Sequence, residues 1–284
     1  QAKVYCLIRA RDRSEGRKRL FDNISKKGAD IDPSWESRVE TVCGDLSLPD
    51  LGLDGADWKM LAQSIDTIYH LGASVNAIAD YATHRKVNVV SIASIVRLAV
   101  EHHLKPVFFS SPMTVCRRHI DGRLVVLAEE QAHENADGLV TGYAKSKWAA
   151  EHILLAAAER GLPVKVYRTS HALPSVRKGL AKPNDTYGTI LKVACKAGVV
   201  PDWEDSSLYG VPVDVLCSLI VENSLASDVY RGIIHVENRS PHSIKSIVEY
   251  LVESKQNGNG KAPTVSFGEW KKRCLGAAVD LPRE

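Results

Sequence analysis

Lys3-Val4-Tyr5-Cys6-Leu7-Ile8-Arg9-Ala10-Arg11-Asp12-Arg13-Ser14-Glu15-Gly16-Arg17-Lys18-Arg19 is the stretch on which the fold turns. Its apolar opening reads as a strand, and cations begin where the strand stops: Arg9, Arg11 and Arg13, then Lys18 and Arg19. In a doubly wound α/β sheet a dinucleotide lies across the carboxyl ends of the strands. An acidic residue at the end of the second strand holds the ribose hydroxyls of NAD, whereas Arg accommodates the 2′-phosphate of NADP. No G-x-G-x-x-G or near variant occurs anywhere in the chain, and Gly260-Lys261 lacks the rest of a phosphate loop. Lys3–Ile8 is therefore read as the second strand of such a sheet. A solvated basic helix start is the other reading of the cluster.

Outward from this strand the alternation continues. Short β-branched runs occur at Arg38–Cys43, Thr67–His70, Pro106–Phe109 and Val164–Tyr167. Helical patterns lie between them at Glu15–Ser25, Asp57–Gln63, Arg85–His102 and Ala144–Arg160. Strands alternating with helices predict right-handed βαβ crossovers and a parallel sheet, an α/β Rossmann-like doubly wound fold. After Arg168 the pattern weakens. Helices are expected at Thr186–Ala197, Val213–Ala226, Ser243–Ser254 and around Gly268–Cys274, with one strand at Gly232–Val236. Pro174–Asn184 reads as a loop opening a smaller, mostly helical lobe, and Gln256–Gly260 as a surface linker. The expected division is 1–173 for the dinucleotide-binding domain and 174–284 for the lobe.

The 284 residues are 44% hydrophobic and 25% charged, enough for a sizeable core and too apolar for a disordered chain. The longest apolar stretch, Val89–Val100, carries Arg97 and is too short to span a bilayer, so no membrane partner is expected. A net charge of +3 gives no general case for nucleic acid. The six cysteines are dispersed, with no C-x-x-C pair and no visible signal peptide, and read as reduced, buried thiols of a cytoplasmic protein. His102 and His103 are adjacent and diverge on a helix, so no metal site is expected. Residue 1 is Gln and a strand follows at once, so the chain is read as a piece of a longer polypeptide.

Gly142-Tyr143-Ala144-Lys145-Ser146-Lys147-Trp148 carries the chemistry. Tyr143 and Lys147 are four apart at a helix start and share a face. That face continues through Ala150 and Leu154, while Glu151, Glu159 and Arg160 are expected toward solvent. An ammonium beside a phenol favours phenolate, so Lys147 is expected to draw the Tyr143 pKa from about 10 toward neutrality. Such a phenol can protonate the oxyanion that develops as hydride reaches a carbonyl. A second donor is expected after the strand Pro106–Phe109, where Ser110 and Ser111 follow. Gly44-Asp45-Leu46 offers a carboxylate and an amide to an adenine edge, and Leu71-Gly72-Ala73 allows a backbone to approach ribose and pyrophosphate. Singly, each is ordinary turn chemistry or a structural helix start; their order along the chain is the stronger signal.

Six segments recur in an order that resembles a known family: VYCLIRA (Val4–Ala10), GDLSLPDLGL (Gly44–Leu53), IYHLGASVN (Ile68–Asn76), NVVSIASIVRLA (Asn88–Ala99), GYAKSKWAAE (Gly142–Glu151) and GLPVKVYR (Gly161–Arg168). They resemble the terminal thioester reductase domains of nonribosomal peptide and polyketide synthases. Those are relatives of carboxylic acid reductases in the extended short-chain dehydrogenase/reductase superfamily. The resemblance runs from about Ala2 to Asp214, and more loosely to Trp270. It implies NADPH-dependent release, as an aldehyde or alcohol, of a thioester held on the phosphopantetheinylated acyl or peptidyl carrier domain of the same synthase. By the resemblance Tyr143 is the proton donor, and Lys147 holds the nicotinamide ribose and tunes Tyr143. Arg9 and Arg19 grip the 2′-phosphate, Asp45 and Leu46 flank the adenine, and Leu71, Gly72, Ala73 and Ser110 border the cofactor. The lobe meets the carrier arm, about 211–236 returns to the cofactor domain, and the domain is expected to be monomeric.

The chain departs from that family in three places. The family's first strand and its T-G-x-x-G-x-x-G turn are expected just before Gln1. The family's strand end is Ser-Thr and an apolar residue, where this chain has Ser110-Ser111-Pro112-Met113-Thr114-Val115. Counting back from Val115 puts Pro112 at the hydroxyl position; counting forward puts Ser111 there. Ser111 is taken as the catalytic hydroxyl, with Thr114 as the alternative. Finally, Thr169-Ser170-His171-Ala172-Leu173 replaces the Pro-Gly pattern that follows this Arg. Two other functions compete with reductive release: redox-independent, Dieckmann-type release, and a non-catalytic dinucleotide-binding or docking module.

Overall fold

The computed structural model describes residues 2–26, 31–121, 123–129, 131–179, 186–202, 207–226, 231–255 and 261–278. Strand β1 (Val4–Ile8) ends at the basic cluster, and Asp12 then caps helix α1 (Arg13–Lys26) by accepting the Glu15 amide at 2.8 Å. After the short helix α2 (Pro33–Glu36), β2 (Val39–Cys43) pairs in parallel with β1. Thr41 Oγ1 donates to the Arg13 carbonyl at 2.9 Å, which ties α1 to the strand it precedes. Helix α3 (Gly55–Ser64), capped by Asp54, crosses to β3 (Ile68–His70). From β3 the chain runs through α4 (Tyr81–Arg85), a π-helical turn at Lys86–Val90 and α5 (Ser91–Val100) to β4 (Val107–Pro112). A hairpin, β5 (Arg117–Ile120) and β6 (Arg123–Val126), precedes α6 (Gly142–Glu159) and β7 (Val164–Thr169). Then come β8 (His171–Leu173), α7 (Thr186–Ala197), β9 (Val200–Pro201), β10 (Ser207–Leu208), β11 (Gly210–Pro212), α8 (Val213–Ala226) and β12 (Gly232–Val236). The last described elements are β13 (His242–Ser243), α9 (Ile244–Lys255), β14 (Thr264–Val265) and α10 (Phe267–Ala278).

The chain divides into two compact units, Gln1–Ser170 with Leu216–Val236, and His171–Val215 with Glu237–Glu284. In the first, a parallel sheet has the order β12-β7-β4-β3, while β1 and β2 form a separate parallel pair. The pair and the sheet do not hydrogen-bond to each other, yet they share one core. Val42, Ile68, Val107, Phe109 and Val166 pack there with Leu61, Ile95 and Leu154 of α3, α5 and α6. Residues Val164 to Arg168 of β7 are all buried, as a central parallel strand requires. This is the doubly wound α/β arrangement. The second unit gathers α7, α9 and α10 around Val193, Val248, Val252 and Trp270. Three short pairings accompany them, β8 with β11, β9 with β14 and β10 with β13, too brief for any periodicity to show.

Several expected boundaries move for identifiable reasons. β4 and β7 run on past Phe109 and Tyr167 because Ser110, Ser111 and Pro112 pair with Tyr167, Arg168 and Thr169. The helix expected over Arg85–His102 begins at Tyr81 and carries the π turn. Cys116 and Cys274 are buried, but Cys217 is exposed. Helix α8 packs through Leu216, Ile220 and Ser224, one face at a spacing of four, and this turns Cys217 outward. The expected linker at 256–260 and residues 180–184 of the expected loop lie outside the described residues. Among the described residues no helix is long and apolar enough to cross a membrane, and no three His, Cys, Asp or Glu side chains cluster to hold a metal.

Candidate active site

Helix α6 begins against a loop that follows β3. Thr141 caps it by accepting the Ala144 amide at 3.0 Å. Gly142 comes next because a Cβ there would lie 2.3 Å from the Asp80 carbonyl carbon and 2.4 Å from the Tyr81 nitrogen. That close approach sets the Tyr143 ring edge-on to the buried His84, with centroids 5.8 Å apart. His84 is itself held by the Asn76 carbonyl at 3.0 Å and Ser74 Oγ at 3.3 Å.

Burial pushes the Tyr143 phenol above its usual pKa. The shift runs opposite to the expected pull of Lys147 toward neutrality, because loss of solvent around the hydroxyl favours the neutral phenol. Lys147, one turn on, is 3% exposed, with Nζ 3.8 Å from the centre of the Phe109 ring. Burial lowers its pKa to about 7, opposed by the charge of Glu151. His70 stacks on the same ring at 5.7 Å. Burial, aided by the Lys147 charge, pulls its pKa down to about 3, so it is neutral.

Phe109 and Ser111 alternate onto one face of β4, so Ser111 shares the Lys147 side of the sheet. It is 1% exposed, and its hydroxyl is enclosed without a hydrogen-bond partner. Ser110 falls on the opposite face, half-buried, next to Tyr167 in the register. Pro112 ends the strand, and Thr114 is exposed in the 3-10 turn Met113–Val115.

At the other end of the unit, Arg19 Nη1 donates to the Arg9 carbonyl at 2.6 Å. The Arg9 guanidinium, 74% exposed, lies 3.8 Å from the Asp45 carboxylate. Arg11 is paired with Glu15 at 2.9 Å, and Arg13 is bonded to Asp57. Asp45 accepts the Ser47 amide at 2.8 Å, and this bond chiefly holds its carboxyl below the usual range. Leu46 reaches across to Gly72, where a Cβ would meet Leu46 Cδ1 at 2.7 Å. Leu71 is 60% exposed and Ala73 is half-buried. The structure thus brings Arg9, Arg19 and Asp45 together, and Leu46 with Gly72.

Sequence reasoning missed two parts of this site. Asn88, in the π turn and 1% exposed, accepts the Ser74 amide at 2.7 Å. Its amide nitrogen donates at 2.9 Å to both the Ser74 carbonyl and Ser146 Oγ, and Ser146 Oγ donates to the Tyr143 carbonyl at 2.7 Å. One side chain thereby joins the loop after β3 to the start of α6; an Asn inside an apolar helical run was the available signal. The second part is Glu151, expected in solvent and found fully buried. Arg168 of β7 donates to it from Nη2 at 2.8 Å and from Nε at 3.2 Å. Residue spacing within α6 says nothing of a cation arriving from a neighbouring strand.

An NAD-binding family described as male sterility protein matches residues 1–220. Among solved structures, the terminal R domain from the myxalamid PKS-NRPS biosynthetic pathway superposes with a TM-score of 0.86 at 30% identity, covering 99% of this chain and 70% of that one. A linear gramicidin synthase of Brevibacillus parabrevis is 31% identical over 273 residues, 95% of this chain and 5% of that protein. The L-2-aminoadipate reductase large subunit of Candida glabrata is 31% identical over 296 residues, 98% of this chain and 21% of that protein. The chain spans only a small part of these two relatives. With its strand order and the Tyr143–Lys147 pair at the head of α6, it belongs to the NAD-binding male sterility protein family, among the terminal reductase domains of the extended short-chain dehydrogenase/reductase fold.

Proposed function

We propose that this chain releases a carrier-bound acyl or peptidyl thioester as an aldehyde, with NADPH as reductant and Tyr143 as proton donor. The observation that carries the reading is Tyr143 at the head of α6 with the enclosed Lys147 one helical turn on. When bound, a nicotinamide cofactor held by these residues would supply hydride chemistry at the thioester carbonyl carbon. Tyr143 gives its proton to the carbonyl oxygen, and the Lys147 charge stabilises the phenolate left behind. The resulting thiohemiacetal loses its hydroxyl proton as the carbon–sulfur bond breaks. The phosphopantetheine sulfur takes up a proton and leaves as a thiol, and the aldehyde is freed. Ser111, on the Lys147 face, is the second donor to the oxygen, with Thr114 the alternative.

The residues fit one end of the cofactor. Arg9 and Arg19 adjoin at the end of β1 and suit a 2′-phosphate. Asp45 and Leu46 flank the adenine, and Leu71, Gly72, Ala73 and Ser110 border the cofactor. None of the 19 glycines lies in a pyrophosphate turn motif. The edges of β1 and β3 that no described strand pairs with are where a strand bearing one would join. In this reading 1–173 holds the cofactor, 174–284 faces the carrier with about 211–236 returning, and the domain works as a cytoplasmic monomer within its synthase.

Pro112, at one count of the hydroxyl position, favours a second reading, redox-independent release. Mass analysis of the product from an acylated carrier, with and without NADPH, separates the two. Aldehyde formed in step with NADPH consumption supports reduction, and release without NADPH refutes it. Arg9→Ala is expected to raise KM for NADPH roughly tenfold, the worth of one charge-assisted hydrogen bond, and to leave KM for NADH unchanged. Equal effects on both cofactors would remove Arg9 from the phosphate site.

A further inference from the structure

Asp45 meets the arginines at the end of β1 as an anion. Its Oδ2 lies 3.8 Å from Arg9 Nη1, in an ion pair whose arginine is 74% exposed and whose carboxylate is 24% exposed. The carboxylate is not free to swing away. Its Oδ1 accepts the Ser47 amide at 2.8 Å, and the Asp45 amide donates to the Leu51 carbonyl at 2.7 Å. Gly44 admits that carbonyl, since a Cβ there would lie 2.5 Å from the Leu51 oxygen. Arg11 is paired with Glu15 and Arg13 with Asp57. Of the three arginines that follow β1, it is therefore Arg9 whose acid partner belongs to the cofactor site.

We propose that Asp45 is a specificity-determining residue: its carboxylate competes with the 2′-phosphate of NADPH for the Arg9 guanidinium, and so holds down the preference for NADPH over NADH. The inference rests on the reading that Arg9 receives the 2′-phosphate. A dinucleotide without that phosphate leaves the Arg9–Asp45 pair in place. One that carries it must draw the guanidinium off the carboxylate. It then leaves two anions side by side, because the Ser47 amide keeps the carboxylate where it is. Arg19 does not relieve the contest, since its Nη1 is turned to the Arg9 carbonyl at 2.6 Å. A solvated ion pair and a solvated repulsion are each worth little alone; together they come to a factor of about three to ten in affinity.

The test compares dissociation constants for NADP+ and NAD+, read from amide shifts along β1 and β2 in the 284-residue chain. The two differ only in the 2′-phosphate, so any change in an adenine contact cancels in their ratio. Asp45→Asn keeps the shape and the oxygen that accepts the Ser47 amide, and removes the charge. The preference for NADP+ is expected to rise about three- to tenfold in this variant. In an Arg9→Ala background the same substitution should leave the preference within about twofold, because no guanidinium remains to be contested. An unchanged or lowered preference in Asp45→Asn, or an equal rise with and without Arg9, overturns the inference. The two kinds of failure are distinct. If Arg9→Ala leaves the parent preference for NADP+ intact, the phosphate reading falls and takes the inference with it. If Arg9→Ala lowers that preference while Asp45→Asn does not raise it, the inference alone falls.

Discussion

Tyr143→Phe is expected to lower NADPH-dependent thioester turnover by about 10²- to 10⁴-fold, the usual worth of a positioned proton donor, while NADPH binding is retained. The substitution removes one oxygen and keeps the ring that meets His84 edge-on, so the start of α6 and the Asn88 links to it stay in place. On the proposed mechanism, what is lost is the proton that the carbonyl oxygen needs as hydride arrives. Single-turnover chemistry on an acylated carrier, beside a direct measure of NADPH affinity, reads the two quantities separately. Undiminished turnover would take Tyr143 out of the mechanism. The parent protein should show a matching sign in its pH profile. Lys147 is charged below its lowered pKa of about 7 and loses that charge above it, so the chemical step should slow as pH rises through that value.

Arg168→Met should destabilise the folded protein by about 3–5 kcal/mol, because it strands the Glu151 carboxylate in the interior without its partner. Met fills much of the vacated volume, so the cost is electrostatic rather than a cavity. The control is the double variant Arg168→Met with Glu151→Gln. Removing both charges is often close to neutral, and the double variant should recover most of the loss. Denaturant midpoints at unchanged slope measure all three proteins. If Arg168→Met unfolds at the parent midpoint, the buried pair contributes nothing to stability.

Much of this was legible in the residues. Lys3–Ile8 followed by arginines, and Tyr143 four before Lys147, announce a strand end and a helix face, and both are local statements. Strands β4 and β7 open as apolar runs because both their faces are covered, which is why they were found. Two of the misses depend on partners remote in sequence. Glu151 is polar on a helix, and only the arrival of Arg168 from β7 makes its burial tolerable. Asn88 sits in a π turn whose purpose shows only once Ser74 and Ser146 are seen on either side of it. The β5–β6 hairpin went unread because β6 is exposed along its whole length, leaving no alternation of apolar and polar residues to recognise. The pKa of Tyr143 went the other way from expectation because pairwise chemistry was legible and desolvation was not.

The separate β1–β2 pair has a consequence for local opening. Among the described strands β4 and β7 are each bonded on both sides, whereas β1 and β2 have only each other until a strand joins the open edges of β1 and β3. A two-stranded element opens at lower free energy than the centre of a sheet, so amide protons of Val4–Ile8 and Val39–Cys43 should exchange with solvent well before those of Val107–Pro112 and Val164–Thr169. In the 284-residue chain the arginines that end β1 thus stand on the half expected to open first, and Tyr143, the proposed proton donor, on the half expected to stay closed. A ligand that grips Arg9 and Arg19 raises the opening free energy of the first half by an amount that grows with the logarithm of its concentration over Kd. Occupancy of that end can then be read strand by strand, as slowed exchange in β1 and β2 against an unchanged β4 and β7.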